Sequence, residues 1–102
     1  MQLDIRKRGD TAVLKIIGPV DTEGGRVLSE SFAKLVQDET IRHGIFDLTE
    51  VPAITSAGIG KLLRFYKHFD KIMGTMKIRG ISAQLKQQFV EIHLDQIIKI
   101  ED

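Results

Sequence analysis

Three times after Pro19 the chain passes from a stretch of helical periodicity into a short apolar stretch, and this alternation restricts the fold more than any other feature. A helix between two strands is a crossover, and crossovers are right-handed and lay their helices against a mostly parallel sheet. The first helical pattern follows Val20-Asp21-Thr22-Glu23, with either Asp21 or Thr22 as its cap, and puts Leu28, Phe32, Leu35 and Val36 on one face. Gly24 and Gly25 weaken its start, so an irregular first turn is expected. Gly44-Ile45-Phe46-Asp47-Leu48 reads as a central strand covered on both faces. A second helical pattern carries Ile59, Leu62, Leu63, Tyr66 and Phe69 at spacings of three and four, with Gly74 as its C-terminal stop. Residues 75–80 form the next strand. Ser82 caps a third helix running to about His93, with Leu85, Phe89 and Ile92 inward, and residues 96–100 form a last strand.

Before the first helix, Leu3 and Ile5 alternate with Asp4 and Arg6, and the stem of Lys7 extends the apolar side. Gly9-Asp10 is a turn signal, and residues 11–18 form a second strand ended by Gly18-Pro19, so the two strands read as a hairpin. The expected order is β-β-α-β-α-β-α-β. That is an α/β fold with a mixed, mostly parallel five-stranded sheet and about three helices. No repeat, low-complexity tract or linker interrupts the pattern, so residues 1–102 are expected to form a single domain.

Composition excludes several classes of function. The chain has no cysteine, which removes disulfides, thiolate metal sites and a cysteine nucleophile. A formal charge of +1 with acids and bases interleaved gives no basic footprint for nucleic acid. No apolar run approaches membrane-spanning length, and the first residues lack the apolar core of a signal peptide. A cytoplasmic location without membrane insertion is therefore expected.

The usual chemistries find no support. His43, His68 and His93 share no helix with one another, so no metal site is expected. The carboxylates are scattered and no pair is placed for general acid–base work. A nucleophile elbow around Ser56 needs glycine two residues earlier, where Ile54 stands. Gly58-Ile59-Gly60 lacks the third glycine of a dinucleotide fingerprint, and Lys61 is followed by Leu62 where a phosphate loop has a hydroxyl. Neither enzymatic turnover nor a cofactor is expected. Lys61, Arg64, Lys67, His68 and Lys71 make one side of the second helix basic, either as a solvated face or as a contact surface for an acidic partner.

The segment Ile54-Thr55-Ser56-Ala57-Gly58-Ile59-Gly60 opens that helix with two hydroxyls. A hydroxyl there can cap the free N–H groups of the first turn, or carry a phosphate at the positive end of the helix. Gly58 and Gly60 each cost about 1 kcal/mol relative to alanine in a helix. Their presence implies close approach of a neighbouring backbone or of a partner, and the small residues leave the helix start accessible.

Residues 54–63 resemble the signature of STAS domains, above all of the anti-sigma factor antagonists, whose pattern after a hydrophobic residue is Asp-Ser-(Ser or Thr)-Gly-(Leu or Ile)-Gly. Gly18-Pro19-Val20-Asp21 resembles that family's Gly-x-Leu/Ile-Asp, and residues 46–51, 81–86 and 97–100 resemble its strand-then-loop, last helix and last strand. The resemblance implies partner switching. The unmodified protein binds an anti-sigma factor that is also a serine kinase and frees a sigma factor. Phosphorylation at Ser56 releases it, and a serine phosphatase resets it. Asp21, Thr55, Ser56, Ala57, Gly58, Ile59 and Gly60 are then the partner-binding residues. Thr55 stands where the family has Asp, and Ala57 where it often has Ser or Thr, which makes Thr55 a rival acceptor. These departures also suit an alternative: a stand-alone STAS docking or regulatory subunit of a transporter or sensor complex, without a phospho-switch. Between the two hydroxyls, Thr55 is the better cap and Ser56 the better phosphate acceptor.

Overall fold

Gly9 sits in the left-handed region at φ 62°, which lets a two-residue turn fold β1 (Gln2–Arg8) back on β2 (Thr11–Ile17), with Arg8 opposite Thr11. The structure is a computed structural model and describes residues 1–101. Beyond the hairpin come α1 (Thr22–Leu35), β3 (His43–Glu50), α2 (Ser56–Lys71), β4 (Thr75–Arg79), α3 (Ala83–Glu91), a 3-10 turn (Leu94–Gln96) and β5 (Lys99–Glu101). The five strands form one sheet in the order β1-β2-β3-β4-β5, antiparallel at β1–β2 and parallel thereafter. This is the α/β architecture expected from the sequence.

The strand order has a direct consequence. From β2 to β5 each crossover steps in the same direction across the sheet. Right-handed crossovers that never reverse direction put all their helices on one face. Ala12, Leu14 and Ile16 of β2, Gly44, Phe46 and Leu48 of β3, and Met76 and Ile78 of β4 are buried on that face, while their alternates are half-buried or exposed. The expectation that β3 is covered on both faces is therefore corrected: Ile45 points to the open face and is only half-buried.

On the open face, register places Asp4, Lys15, Asp47, Arg79 and Glu101 side by side across all the strands, a row of alternating charge. Opposite charges directly across a strand pair stabilise the pairing. Partial burial pushes the Asp47 carboxyl up, but hydrogen bonds from the Thr49 hydroxyl and backbone, with the charges of Arg79 and Lys15, outweigh it and hold the group below its ordinary value.

On the covered face, α2 lies against the sheet with α1 beside it. The Phe65 ring meets Phe46 of β3 at 4.9 Å and Phe32 of α1 at 5.0 Å between centroids, both edge to face. Phe65 is fully buried although the helical pattern did not single it out. Its position is covered from two sides because α2 packs on the sheet and also against α1 beside it.

Other local expectations shift for identifiable reasons. α1 begins as a regular helix through Gly24 and Gly25, both buried, with Met1 and Pro19 lying where a Gly24 side chain would be. Met73, not Gly74, adopts the left-handed conformation after α2, at φ 59°. Gly74 is required because the Arg42 carbonyl oxygen occupies the place of a Cβ. Leu85 and Phe89 of α3 point inward, but Ile92 is half exposed because α3 has ended before it. His93 takes φ 61°, Leu94–Gln96 form the 3-10 turn, and Ile98 bonds back to the Leu94 carbonyl, so β5 starts later than residue 96.

Candidate functional site

Past the end of β2, a short zipper of hydrogen bonds on both sides of Pro19 continues the β2–β3 pairing into the loops. Gly18 N–H donates to the Glu50 carbonyl, Val20 N–H to the Ala53 carbonyl and Thr55 N–H to the Val20 carbonyl, each at 2.9 Å. Val20 and Ile54 face each other as an isolated parallel bridge. This brings the starts of α1 and α2 to the same edge of the molecule. Asp21 caps α1, its carboxylate accepting from Gly24 N–H at 2.9 Å. Thr55 caps α2, its hydroxyl accepting from Gly58 N–H at 3.2 Å and donating to the Val20 carbonyl at 3.3 Å. From the other side, the Gln88 side-chain amide of α3 donates to the Ile54 carbonyl at 3.2 Å.

The cap duty thus falls on Thr55, and Ser56 is left as the first residue of α2. Ser56 is exposed, and its hydroxyl has no hydrogen-bond partner among the described residues. The first turn of α2 contains no carboxylate. The partial positive charge of the helix start therefore has no acidic side chain of its own helix to answer it.

The two glycines of the signature differ. Gly58 is buried, and a Cβ there would lie 2.7 Å from Val20 Cγ1 and 2.9 Å from the Val20 carbonyl oxygen. Close approach of a neighbouring backbone explains it. Around Gly60, which is exposed, none of the described residues lies within 4 Å of where a Cβ would be. Nothing inside the fold requires glycine at 60.

Of the residues singled out in the sequence, Asp21, Thr55, Ser56, Ala57 and Gly60 lie on the surface of this edge, while Gly58 and Ile59 turn into the packing beneath it. Sequence reasoning missed Val20 and Gln88. The apolar Val20 next to Pro19 was visible, but its pairing with Ile54 depends on strand order, and nothing local marks Gln88. Elsewhere, His43 lies 2.8 Å from the Thr75 hydroxyl and 3.6 Å from the Asp10 carboxylate, and His68 packs edge to face on Phe32. Among the described residues no three histidine or carboxylate groups stand together as a metal site. None of the described helices is long and apolar enough to cross a membrane.

Known proteins share this fold. Residues 2–102 match the sequence model of the STAS domain. An anti-sigma factor antagonist from Mycobacterium paratuberculosis superposes with a TM-score of 0.84 at 17% identity, covering 97% of this chain and 83% of that one. The Bacillus cell fate determinant SpoIIAA, in its phosphorylated form, superposes at 0.78 with 13% identity, covering 99% and 92%. A sulfate transporter family protein from Wolinella succinogenes superposes at 0.74 with 21% identity, covering 85% and 70%. At these identities the structural likeness is one of fold. The sequence match over almost the whole length decides the family: the chain belongs to the STAS domain family.

Proposed function

We propose that this protein is an anti-sigma factor antagonist that binds an anti-sigma factor with serine kinase activity, frees a sigma factor, and is switched by phosphorylation at Ser56. One observation carries the reading. Ser56 presents an exposed hydroxyl, unbonded among the described residues, at the first turn of α2 while Thr55 does the capping. The serine can be modified without removing the cap. A phosphate brings about −1.5 to −2 charges to a helix start that favours anions, so the fold tolerates it. A partner seated over Ala57 and Gly60 would have to desolvate that charge, so the complex does not. The role is regulatory, with no substrate turned over by this chain, and a serine phosphatase restores the binding form. The likeness to anti-sigma factor antagonists, one of them known in a phosphorylated form, supports this reading.

The test is incubation with the cognate kinase and ATP, with the phosphate mapped by mass spectrometry. Labelling at Ser56, lost in Ser56→Ala, is the expected result, together with weak kinase binding by Ser56→Glu. Labelling confined to Thr55, or unchanged binding after modification, sinks it.

A second reading is a constitutive docking subunit of a transporter or sensor complex. Thr55 in place of an acidic residue, and the fold likeness to a sulfate transporter family protein, favour it. Co-purification from the native cell separates the two: a kinase-like ATPase supports the first, and a transport protein with Ser56 unmodified supports the second.

A further inference from the structure

Some cations of this chain stand beside acids, and others, Arg8 and Lys99 among them, have no ion pair among the described residues. On the open sheet face, Arg6, Lys15, Lys77 and Arg79 are each within ion-pair distance of an acid: Asp4, Glu50, Glu101 and Asp47 respectively. On α2 the case is different. Arg64, Lys67 and Lys71 are exposed and have no ion pair among the described residues, and Arg64 instead lies 4.7 Å above the Phe32 ring. At steps of three and four these cations share one side of the helix over about 10 Å. They rim a groove of about 390 Å³ between α1 and α2, lined also by Phe32, Val36 and His68. The floor is apolar and half-buried, the rim is cationic, and among the described residues no carboxylate lines it.

We infer that the α1/α2 groove docks an acidic amphipathic helix of a partner protein, with apolar side chains on Phe32 and Val36 and carboxylates against Arg64, Lys67 and Lys71. Charge complementarity selects the occupant, since a row of unpaired cations beside an apolar floor fits a helix with acids at the same spacing. The groove is too short, and the chain's net charge of +1 too small, for a nucleic-acid track. This surface lies toward the end of α2 remote from Ser56 and needs no phosphate. It stands apart from the reading of the helix start.

The test is titration of the ¹⁵N-labelled full chain with a synthetic amphipathic helical peptide that has leucines on one face and glutamates at matching spacing. A peptide with lysine for glutamate is the control. Saturable shift changes centred on Phe32, Val36 and residues 64–71 are expected, with affinity falling as salt is raised. Arg64→Glu/Lys67→Glu/Lys71→Glu, all exposed positions, should weaken binding about tenfold or more. Arg6→Glu/Arg8→Glu/Lys99→Glu changes net charge equally on the open sheet face and should leave binding within about twofold. The inference is overturned by equal binding of the lysine peptide, by shifts centred on the open sheet face, by equal weakening in both triple variants, or by no saturable binding at millimolar peptide. It is also overturned if the α2 triple variant loses binding to vesicles rich in anionic lipid while peptide binding is unchanged. Kinase and ATP are absent throughout, so failure here and failure of the Ser56 switch are separate results.

Discussion

Gly58 is packed so closely on Val20 that a single added methyl would lie 2.7 Å from its Cγ1 and 2.9 Å from its carbonyl oxygen. That contact locks the start of α2 onto the loop leading into α1. Gly58→Ala gains helix propensity but overpacks a backbone that also bonds Thr55. A net loss of ~1–3 kcal/mol is expected, measured by urea unfolding. No loss of stability would mean that the two loops are not held together there.

Gly60 makes the opposite case. With open space where its Cβ would be, Gly60→Ala should stabilise the free protein by ~0.4–1 kcal/mol. If a partner backbone approaches this residue, the same variant binds that partner more weakly. Equilibrium unfolding and partner titration on one preparation separate the two effects.

Thr55 and Ser56 should respond differently to truncation. Thr55→Ala loses the bond to Gly58 N–H and should cost about 1 kcal/mol, whereas Ser56→Ala, which loses no bond among the described residues, should stay within about 0.5 kcal/mol of wild type. Thr55→Asp should restore the acceptor for Gly58 N–H but not the bond to the Val20 carbonyl, and so recover only part of the loss. Thermal unfolding of the three variants reads this directly.

His68 titrates below its ordinary value because burial disfavours its charged form and Lys71 repels it. The folded protein therefore holds fewer protons than the unfolded chain as pH falls below about 6.5, and stability falls through that window toward the folded pKa. Lys71→Gln should move the His68 pKa part of the way back up, as followed by NMR of the ring protons. A titration that ignores residue 71 would place the charge elsewhere.

Asp38 has the acid-range counterpart. Hydrogen bonds from the Lys7 ammonium, at 2.6 Å, and from the Thr40 hydroxyl and N–H lower its pKa to about 2. A depressed carboxylate contributes stability above its unfolded value near 3.9, and this is lost as pH falls through about 2. Asp38→Asn should flatten that part of the profile, checked by urea midpoints between about pH 2 and 5.

Much of this was written in local patterns. Alternation at Leu3 and Ile5, caps at Asp21, Thr55 and Ser82, and the three-and-four spacing of Ile59, Leu62 and Phe69 each reflect short-range physics and mark their elements correctly. The errors lie where a distant segment decides. Gly74 reads as a helix stop because glycine tolerates positive φ, yet it is there to let the Arg42 carbonyl pass and Met73 takes the strained conformation. Ile45 reads as fully buried because it is apolar, yet it faces the side of the sheet without helices. At the helix start, the hydroxyls and glycines were legible, but the division between a packed Gly58 and an open Gly60 was not.

The sequence by itself determined which segments are strands and helices, their order, and a helix start with two hydroxyls, because periodicity and capping act over a few residues. Only the tertiary structure decided that every crossover steps the same way, that the helices share one face, and that Val20 meets Thr55 and Gly58. Strand order is a matter of long-range pairing, and no local pattern encodes it. Through it the Thr55 cap is tied to Val20, Gly58 is packed beneath it, and Arg64, Lys67 and Lys71 come to rim a groove between α1 and α2.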